Sequence, residues 1–114
     1  MKVKTIEEPR TFEVNNVKIK DYGKINLDSN EMITFVTKSL KEYDFTAKDW
    51  GFYITPSIND RLQKQGFDVA IVENTIGKIF IMAVEKEKKE IFHKYCINEK
   101  KKILQWLGNS HDKM

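Results

Sequence analysis

Two apolar runs separated by a short link constrain the fold of this chain more than any other feature. The runs are Phe67–Glu73 (FDVAIVE) and residues 78–85 (KIFIMAVE), and each would carry apolar side chains on both faces of a strand. Strands of that kind are typical of the interior of a sheet. Residues 74–77 join them, and Gly77 suits the left-handed conformation of a turn. The pattern predicts an antiparallel hairpin at the centre of a sheet.

Strand periodicity continues on both sides of this hairpin. Asn15 and Asn16 tolerate the positive φ angles of a tight hairpin turn, and Gly23 falls in a region expected to be a loop with, at most, a short strand at 25–27. Residues 103–107 (ILQWL) fit a helical turn or a strand, and the strand is favoured. The further predicted strands are residues 11–14, 17–20, 32–37 (central in its sheet), 42–49 and 50–54.

Two helices are predicted, over residues 57–65 and 85–97. Ser57 is a good N-cap, Asp60 stands in the capping-box position, and Gly66 ends the pattern as a left-handed C-cap would. In the second helix the buried stripe is expected to consist of two i,i+4 pairs, Ile91/Tyr95 and Phe92/Cys96.

These elements predict an α+β fold, a mostly antiparallel sheet of about five to seven strands with two helices, since a hairpin rather than a crossover joins the best strands. The length of 114 residues fits one domain. Residues 11–107 are expected to form it, with a flexible arm at 1–10 and a flexible tail at 108–114.

Composition narrows the class of protein. Cys96 is the only cysteine, which excludes an internal disulfide, fits a reducing compartment and predicts a cytoplasmic location. No apolar run approaches the ~20 residues of a membrane helix, and residues 1–10 have no apolar run of the kind that a signal peptide needs. Twenty basic residues include only Arg10 and Arg61 as arginines, a composition that disfavours nucleic acid as a partner.

No familiar catalytic or metal-binding pattern is present. His93 and Cys96 are three residues apart on one predicted helix, but Cys96 belongs to the apolar stripe and core packing is favoured for it. His111 falls in the predicted tail. The five glycines are never closer than eleven residues, so there is no glycine-rich phosphate loop. No metal and no cofactor are therefore predicted.

One polar and aromatic segment, residues 48–62 (KDWGFYITPSINDRL), is the best candidate for a binding site. Aromatic rings beside hydroxyl, amide and guanidinium groups suit a sugar, and the N–H groups expected at the start of a helix at Ser57 suit an anion. Alternatively, Trp50 and Phe52 fill the core, Ser57 only caps a helix, and Arg61 pairs with an aspartate. The candidate ligand-binding residues are Trp50, Tyr53, Thr55, Ser57, Asn59 and Arg61.

The same segment carries a family resemblance. Its motif, D-W-G-F-Y-x-T-P-S-x-N-x-R-L over residues 49–62, resembles a group of small bacterial and archaeal proteins, and the likeness extends over about residues 22–107. Proteins of this group tend to be encoded among genes for surface-polysaccharide or nonulosonic-acid-type sugar synthesis. The resemblance implies a pathway neighbourhood; it assigns no reaction and no catalytic residue.

The function predicted from these observations is a non-catalytic accessory or ligand-binding domain linked to surface-polysaccharide biosynthesis. Its candidate partners are a sugar, a nucleotide-sugar or a biosynthetic enzyme. One alternative is a small enzyme acting on an activated sugar, with Tyr53 or Asp49 in acid–base work. Another is a protein–protein interaction module, including a homodimer through a sheet edge such as residues 42–49.

Overall fold

A computed structural model describes residues 2–108, so that Met1 and most of the predicted tail, including His111, lie outside the described residues. A 3₁₀ turn, Lys86–Lys88, precedes the second helix. The elements in chain order are β1 Lys2–Val14, β2 Val17–Asn26, β3 Met32–Val36, β4 Glu42–Lys48, β5 Gly51–Thr55, α1 Arg61–Gln65, β6 Phe67–Glu73, β7 Ile79–Glu85, α2 Lys89–Asn98 and β8 Lys102–Leu107.

Within residues 2–108 the fold has eight strands in three sheets and two α-helices, one of them short. The α+β prediction with mostly antiparallel pairing is confirmed at this level, but the range of five to seven strands was too low. The described residues divide into two compact units, one formed by residues 2–33 and 45–53, the other by 34–44 and 54–108. The expectation of one domain over 11–107 stays a prediction, and each unit is described by itself.

The first unit contains the hairpin of β1 and β2. Asn15 and Asn16 form its turn with φ angles of 51° and 67°, as their side-chain type predicts. Both strands are longer than expected: β1 begins at Lys2, within the predicted arm, and β2 runs on to Asn26 through the predicted loop. The longer ladder includes an ion pair between Arg10 and Asp21 at 3.0 Å, which the sequence pattern alone did not reveal.

A second sheet has the strand order β3-β4-β5. The apolar content of β3 predicted a central strand, but β3 lies at the edge and β4 is central. The prediction was wrong, since β3 also exposes large apolar side chains, with Phe35 53% and Val36 55% accessible. Apolar content on both faces therefore does not by itself fix the position of a strand in a sheet.

The third sheet belongs to the second unit and has the order β7-β6-β8, with both pairs antiparallel. The hairpin of β6 and β7 is confirmed, with Phe67 opposite Glu85 and Glu73 opposite Ile79. Its position is not as predicted, since only β6 is central while β7 lies at the edge. The ambiguous run near the end of the chain is a strand, β8, as favoured from the sequence.

Strand β6 supplies the core of the second unit on one of its faces. Phe67 and Val69 are buried together with Leu62 of α1, which is fully inaccessible. The Tyr43 ring stacks on Phe67 with the ring centroids 6.1 Å apart. Ile58 and Leu107 close the cluster, and burial raises the pKa of the Tyr43 phenol.

Helix α2 packs with residues of the opposite face of this sheet. The Phe92 ring meets Trp106 of β8 edge to face with 5.8 Å between centroids, and the Cys96 side chain is buried. Lys89 donates to the buried carboxylate of Asp68 at 2.6 Å and lies over the Trp106 ring at 4.6 Å. Of the predicted pair Phe92/Cys96, Phe92 is thus half-buried and Cys96 is buried.

The other predicted pair of that stripe is not buried. Ile91 is 67% accessible and Tyr95 is 40% accessible. The helix also begins later than predicted, because Glu85 has extended backbone angles and ends β7, and a 3₁₀ turn follows it. Helical periodicity identified the side of the helix that carries apolar residues, whereas the sheet beneath covers only part of it.

A cluster of charges fixes the end of β7 to the turn at residues 37–41. The Glu85 carboxylate accepts hydrogen bonds from the Ser39 hydroxyl and from Lys41 Nζ, the latter at 3.1 Å. Lys88 Nζ lies 3.4 Å from the same carboxylate, and Lys41 also pairs with Glu87. These contacts, led by the Ser39 hydrogen bond, lower the pKa of Glu85 to about 2.

Replacement of Leu62 by alanine tests the importance of the α1–β6 core. Because the Leu62 side chain is fully buried, Leu62→Ala is expected to lower the free energy of unfolding by about 2–5 kcal/mol. Leu104→Ala, at a position that is 42% accessible, serves as the control and should cost much less. Urea denaturation of the two variants measures both; equal losses would contradict the described core.

The Glu85 cluster predicts a pH dependence of stability. A carboxylate whose pKa is lowered to about 2 by folding stabilises the protein above its unfolded value near 4.5, and that contribution is lost as the pH falls toward 2. Glu85→Gln should therefore flatten the decline of the urea midpoint between about pH 4.5 and 2. Glu90→Gln, at an exposed position without these contacts, is the control. Superimposable curves for wild type and Glu85→Gln would refute the assignment.

Candidate functional site

The first half of the candidate segment exposes aromatic rings. Trp50 lies in the turn before β5 and is 70% accessible, and Phe52 and Tyr53 on the strand are 59% and 58% accessible. The Phe52 ring meets Phe45 of β4 edge to face, with centroids 6.4 Å apart. Trp50 and Phe52 therefore do not fill the core, which was the alternative considered from the sequence. Three exposed rings lie within four consecutive residues of the first unit.

The remaining candidates follow in the second unit. Thr55 ends β5 and is half-buried, while Ser57, Asn59 and Arg61 are exposed. Ser57 and Arg61 are brought together directly, because the Ser57 hydroxyl accepts a hydrogen bond from the Arg61 backbone N–H at 3.2 Å. The Thr55–Pro56 peptide bond is cis and Pro56 is buried.

The predicted anion site at a helix start is not supported by this geometry. Helix α1 begins at Arg61 rather than near Ser57 and has five residues. The N–H groups expected to be free are already bonded, since Leu62 N–H donates to the Ser57 carbonyl at 2.9 Å and Arg61 N–H to the Ser57 hydroxyl. Asp60 pairs with Lys64 at 2.8 Å, and this hydrogen bond lowers the pKa of Asp60. The C-cap at Gly66, with φ 113°, is as predicted.

The loop before α1 is held in place by the end of β8. At Gly108, φ is 87°, and a Cβ added there would lie 3.1 Å from the Ile58 carbonyl oxygen and 3.2 Å from Asn59 Cα. Those distances are shorter than ordinary van der Waals contact and the φ angle is positive, so glycine is strongly favoured at this position. The backbone at Asn59 is therefore positioned by a close contact between main chains.

The six candidate residues thus form two groups rather than one established cluster. Trp50 and Tyr53 belong to the first unit, and Thr55, Ser57, Asn59 and Arg61 to the second. Their joint role stays a prediction. The aromatic group is a candidate site by itself, because its rings are highly accessible. The polar group is partly engaged in local hydrogen bonds.

The side chains first considered for metal binding or nucleophilic chemistry have packing contacts. The His93 ring lies 6.1 Å from Phe92 and 6.3 Å from Trp106. The Cys96 thiol is buried, and loss of hydration raises its pKa, which disfavours the reactive thiolate. Across the described residues, no three of the potential ligands His, Cys, Asp and Glu cluster as a metal site would require.

The second unit also contains an apolar groove that sequence reasoning missed. It has a volume of about 460 Å³, within the range of small-ligand and side-chain pockets. None of the six candidate residues lines it. The sequence feature that could have indicated the groove was the Ile91/Tyr95 pair, which was expected to be buried in the core. The lining residues are Thr37, Phe67, Met82, Ala83, Val84, Glu85, Lys88, Ile91, Phe92 and Tyr95.

The groove is apolar along its length and charged at one end. Ile91, Phe92 and Tyr95 lie three and four residues apart and so form one stripe of α2, and Lys88 of the 3₁₀ turn precedes this stripe. At the Lys88 end the Glu85 carboxylate has its own ion-pair partners. Toward Tyr95, Lys101 Nζ lies 6.0 Å from the tyrosine ring. The groove therefore offers mainly hydrophobic contact rather than a catalytic constellation.

Comparison with known proteins adds no assignment. Neither of the two helices found in residues 2–108 is long and apolar enough to cross a membrane. The chain matches no protein-family model, no curated protein and no solved structure. The likeness to proteins of surface-polysaccharide gene clusters therefore stays a prediction.

Proposed function

We propose that this chain is a non-catalytic binding domain whose recognition surface is the exposed aromatic group Trp50, Phe52 and Tyr53, and that its ligand is a sugar or nucleotide-sugar of surface-polysaccharide biosynthesis. The observation that carries the proposal is the exposure of these three rings, each more than half accessible, within four consecutive residues.

Contact between these aromatic rings and water is unfavourable, and a bound ligand that covers the rings would offset that free energy. Single exposed apolar residues are common, but a concentration of exposed aromatic rings is typical of interaction sites. Phe52 and Tyr53 are consecutive on the edge strand β5 and so point to opposite faces, which means that a ligand would contact rings on both faces of this strand. Trp and Tyr combine a large apolar face with a polar group, and few rotatable bonds are immobilised when they bind. A sugar ring also has an apolar face edged by hydroxyls, so it matches both properties.

The resemblance of residues 49–62 to proteins of surface-polysaccharide gene clusters supports this class of ligand. The motif includes all three aromatic residues of the recognition surface. The proposal rests on the aromatic surface of the first unit alone, because stacking on its rings can hold the sugar.

Binding can be followed by titrating ¹⁵N-labelled protein with UDP-N-acetylglucosamine and GDP-mannose. We expect amide shifts concentrated at β5 and its preceding turn. Tyr53→Ala should weaken binding by about tenfold, because a stacking ring is lost. The matched control is Tyr22→Ala, since Tyr22 is 56% accessible and Tyr53 is 58% accessible, and both are on strands of the first unit.

The two variants distinguish recognition from general surface effects. An equal loss of affinity in Tyr22→Ala, or shifts confined to strands other than β5, would contradict the proposed surface. No shift with either nucleotide-sugar at millimolar concentration would contradict this ligand class. Thermal unfolding of both variants confirms that the fold is retained, because neither ring is buried.

A further inference from the structure

Strand β7 combines the side chains of an interior strand with the position of an edge strand. It pairs with β6 on one side and ends its sheet on the other. Ile79 and Ile81 point to one face and are 60% and 69% accessible; Phe80 points to the other and is 45% accessible. An exposed apolar edge of this kind is a template for pairing with another strand.

Helix α2 extends the same apolar surface. Ile91 and Tyr95 have the helical spacing of a buried stripe, yet they are 67% and 40% accessible beside the groove that Met82 and Val84 of β7 also line. The free edge of β7 and this side of α2 are therefore both accessible to solvent. An occupant that extends the sheet and contacts α2 would cover both.

We propose that the occupant is a second copy of this chain, whose β7 pairs antiparallel with the first β7 and forms a homodimer with a continuous six-stranded sheet. A two-fold axis perpendicular to the sheet places like faces together, so Ile79 and Ile81 of both copies lie on the same face of the joined sheet. On the other face the two α2 helices approach along Ile91 and Tyr95. A strand that pairs with the free edge of β7 must be apolar on both faces, and β7 itself has that composition.

Composition determines the occupant, and charge limits its register. Six apolar residues lie between Lys78 and Glu85, so a second copy offers the same apolar strand; the Glu85 carboxylate needs no partner from it, because Lys41 and Lys88 already pair with it. Centring the pair on Met82 would place Lys78 opposite Lys86, and directly opposed like charges destabilise a ladder. Centring it on Ile81 avoids this contact and pairs residues 79–83 of β7, whereas centring it on Phe80 would pair only residues 79–81. Ile81 then faces itself, and Ile79 faces Ala83.

The strand alone is too small for a stable interface. A specific dimer buries ~800 Å² on each partner, more than one edge strand offers, so the α2 contact is an essential part of the proposal. The edge considered first from the sequence, residues 42–49, is not suitable, because β4 lies between β3 and β5. The β7 edge replaces it.

The solution state provides the first test. Sedimentation velocity from about 1 μM to about 1 mM protein should show a dimer for the wild type. Ile81→Lys places two like charges at the axis and should raise the dimer dissociation constant on the order of 100-fold or more. Ile97→Lys is the matched control: Ile97 is 75% accessible but lies on another side of α2, so the dimer should persist.

Cross-linking provides the second test, because it reads the register. With Ile81 opposite itself, Ile81→Cys should form an intermolecular disulfide under mild oxidation. Ile79→Cys should not, because the two copies of residue 79 would be offset by four residues, roughly 13 Å along the strand. The wild type is the background control, since its Cys96 is buried.

A wild type that is monomeric throughout the concentration range overturns the proposal, even if the edge then binds a strand of another protein. So does a dimer that Ile81→Lys leaves intact or that Ile97→Lys disrupts equally. Cross-linking through Ile79→Cys rather than Ile81→Cys overturns the proposed pairing. None of these outcomes bears on nucleotide-sugar binding at β5, so the two proposals can fail separately.

Discussion

The burial of strand β6 on both faces is the constraint on which the second unit depends. Phe67 and Val69 pack toward Leu62, while Asp68 and Ala70 face the side from which α2 approaches, and all of them are buried. Covering two faces of one strand requires an element on each side, so the positions of α1 and α2 follow from the composition of β6. A charged residue is tolerated there only because Lys89 pairs with Asp68.

Elements were predictable where local pattern and burial agree. Strand β6 and the turn at Asn15–Asn16 were found because periodicity or turn chemistry determines them within a few residues. Gly66 was predicted as a C-cap for the same reason. Helix α1 was predicted too long, because Ser57 can cap a backbone N–H from a turn as well as from a helix start.

Strand neighbours were not predictable, because composition does not determine which strand pairs with which. β3 and β7 have apolar side chains on both faces and were expected inside a sheet, yet each lies at an edge. The candidate segment was recognised as unusual from its residue types. Its exposure, and the division of its residues between two units, depend on tertiary packing that no local pattern contains.

The close approach of Gly108 to Ile58 and Asn59 couples two distant parts of the sequence. A shift of the loop at Ile58 and Asn59 would change its packing against Gly108, since the backbone atoms of that loop lie directly beside the glycine. The environment of Gly108, directly after β8, therefore depends on the conformation of that loop. The amide resonance of Gly108 would report any rearrangement around Asn59, although the two residues are separated by most of the second unit in sequence.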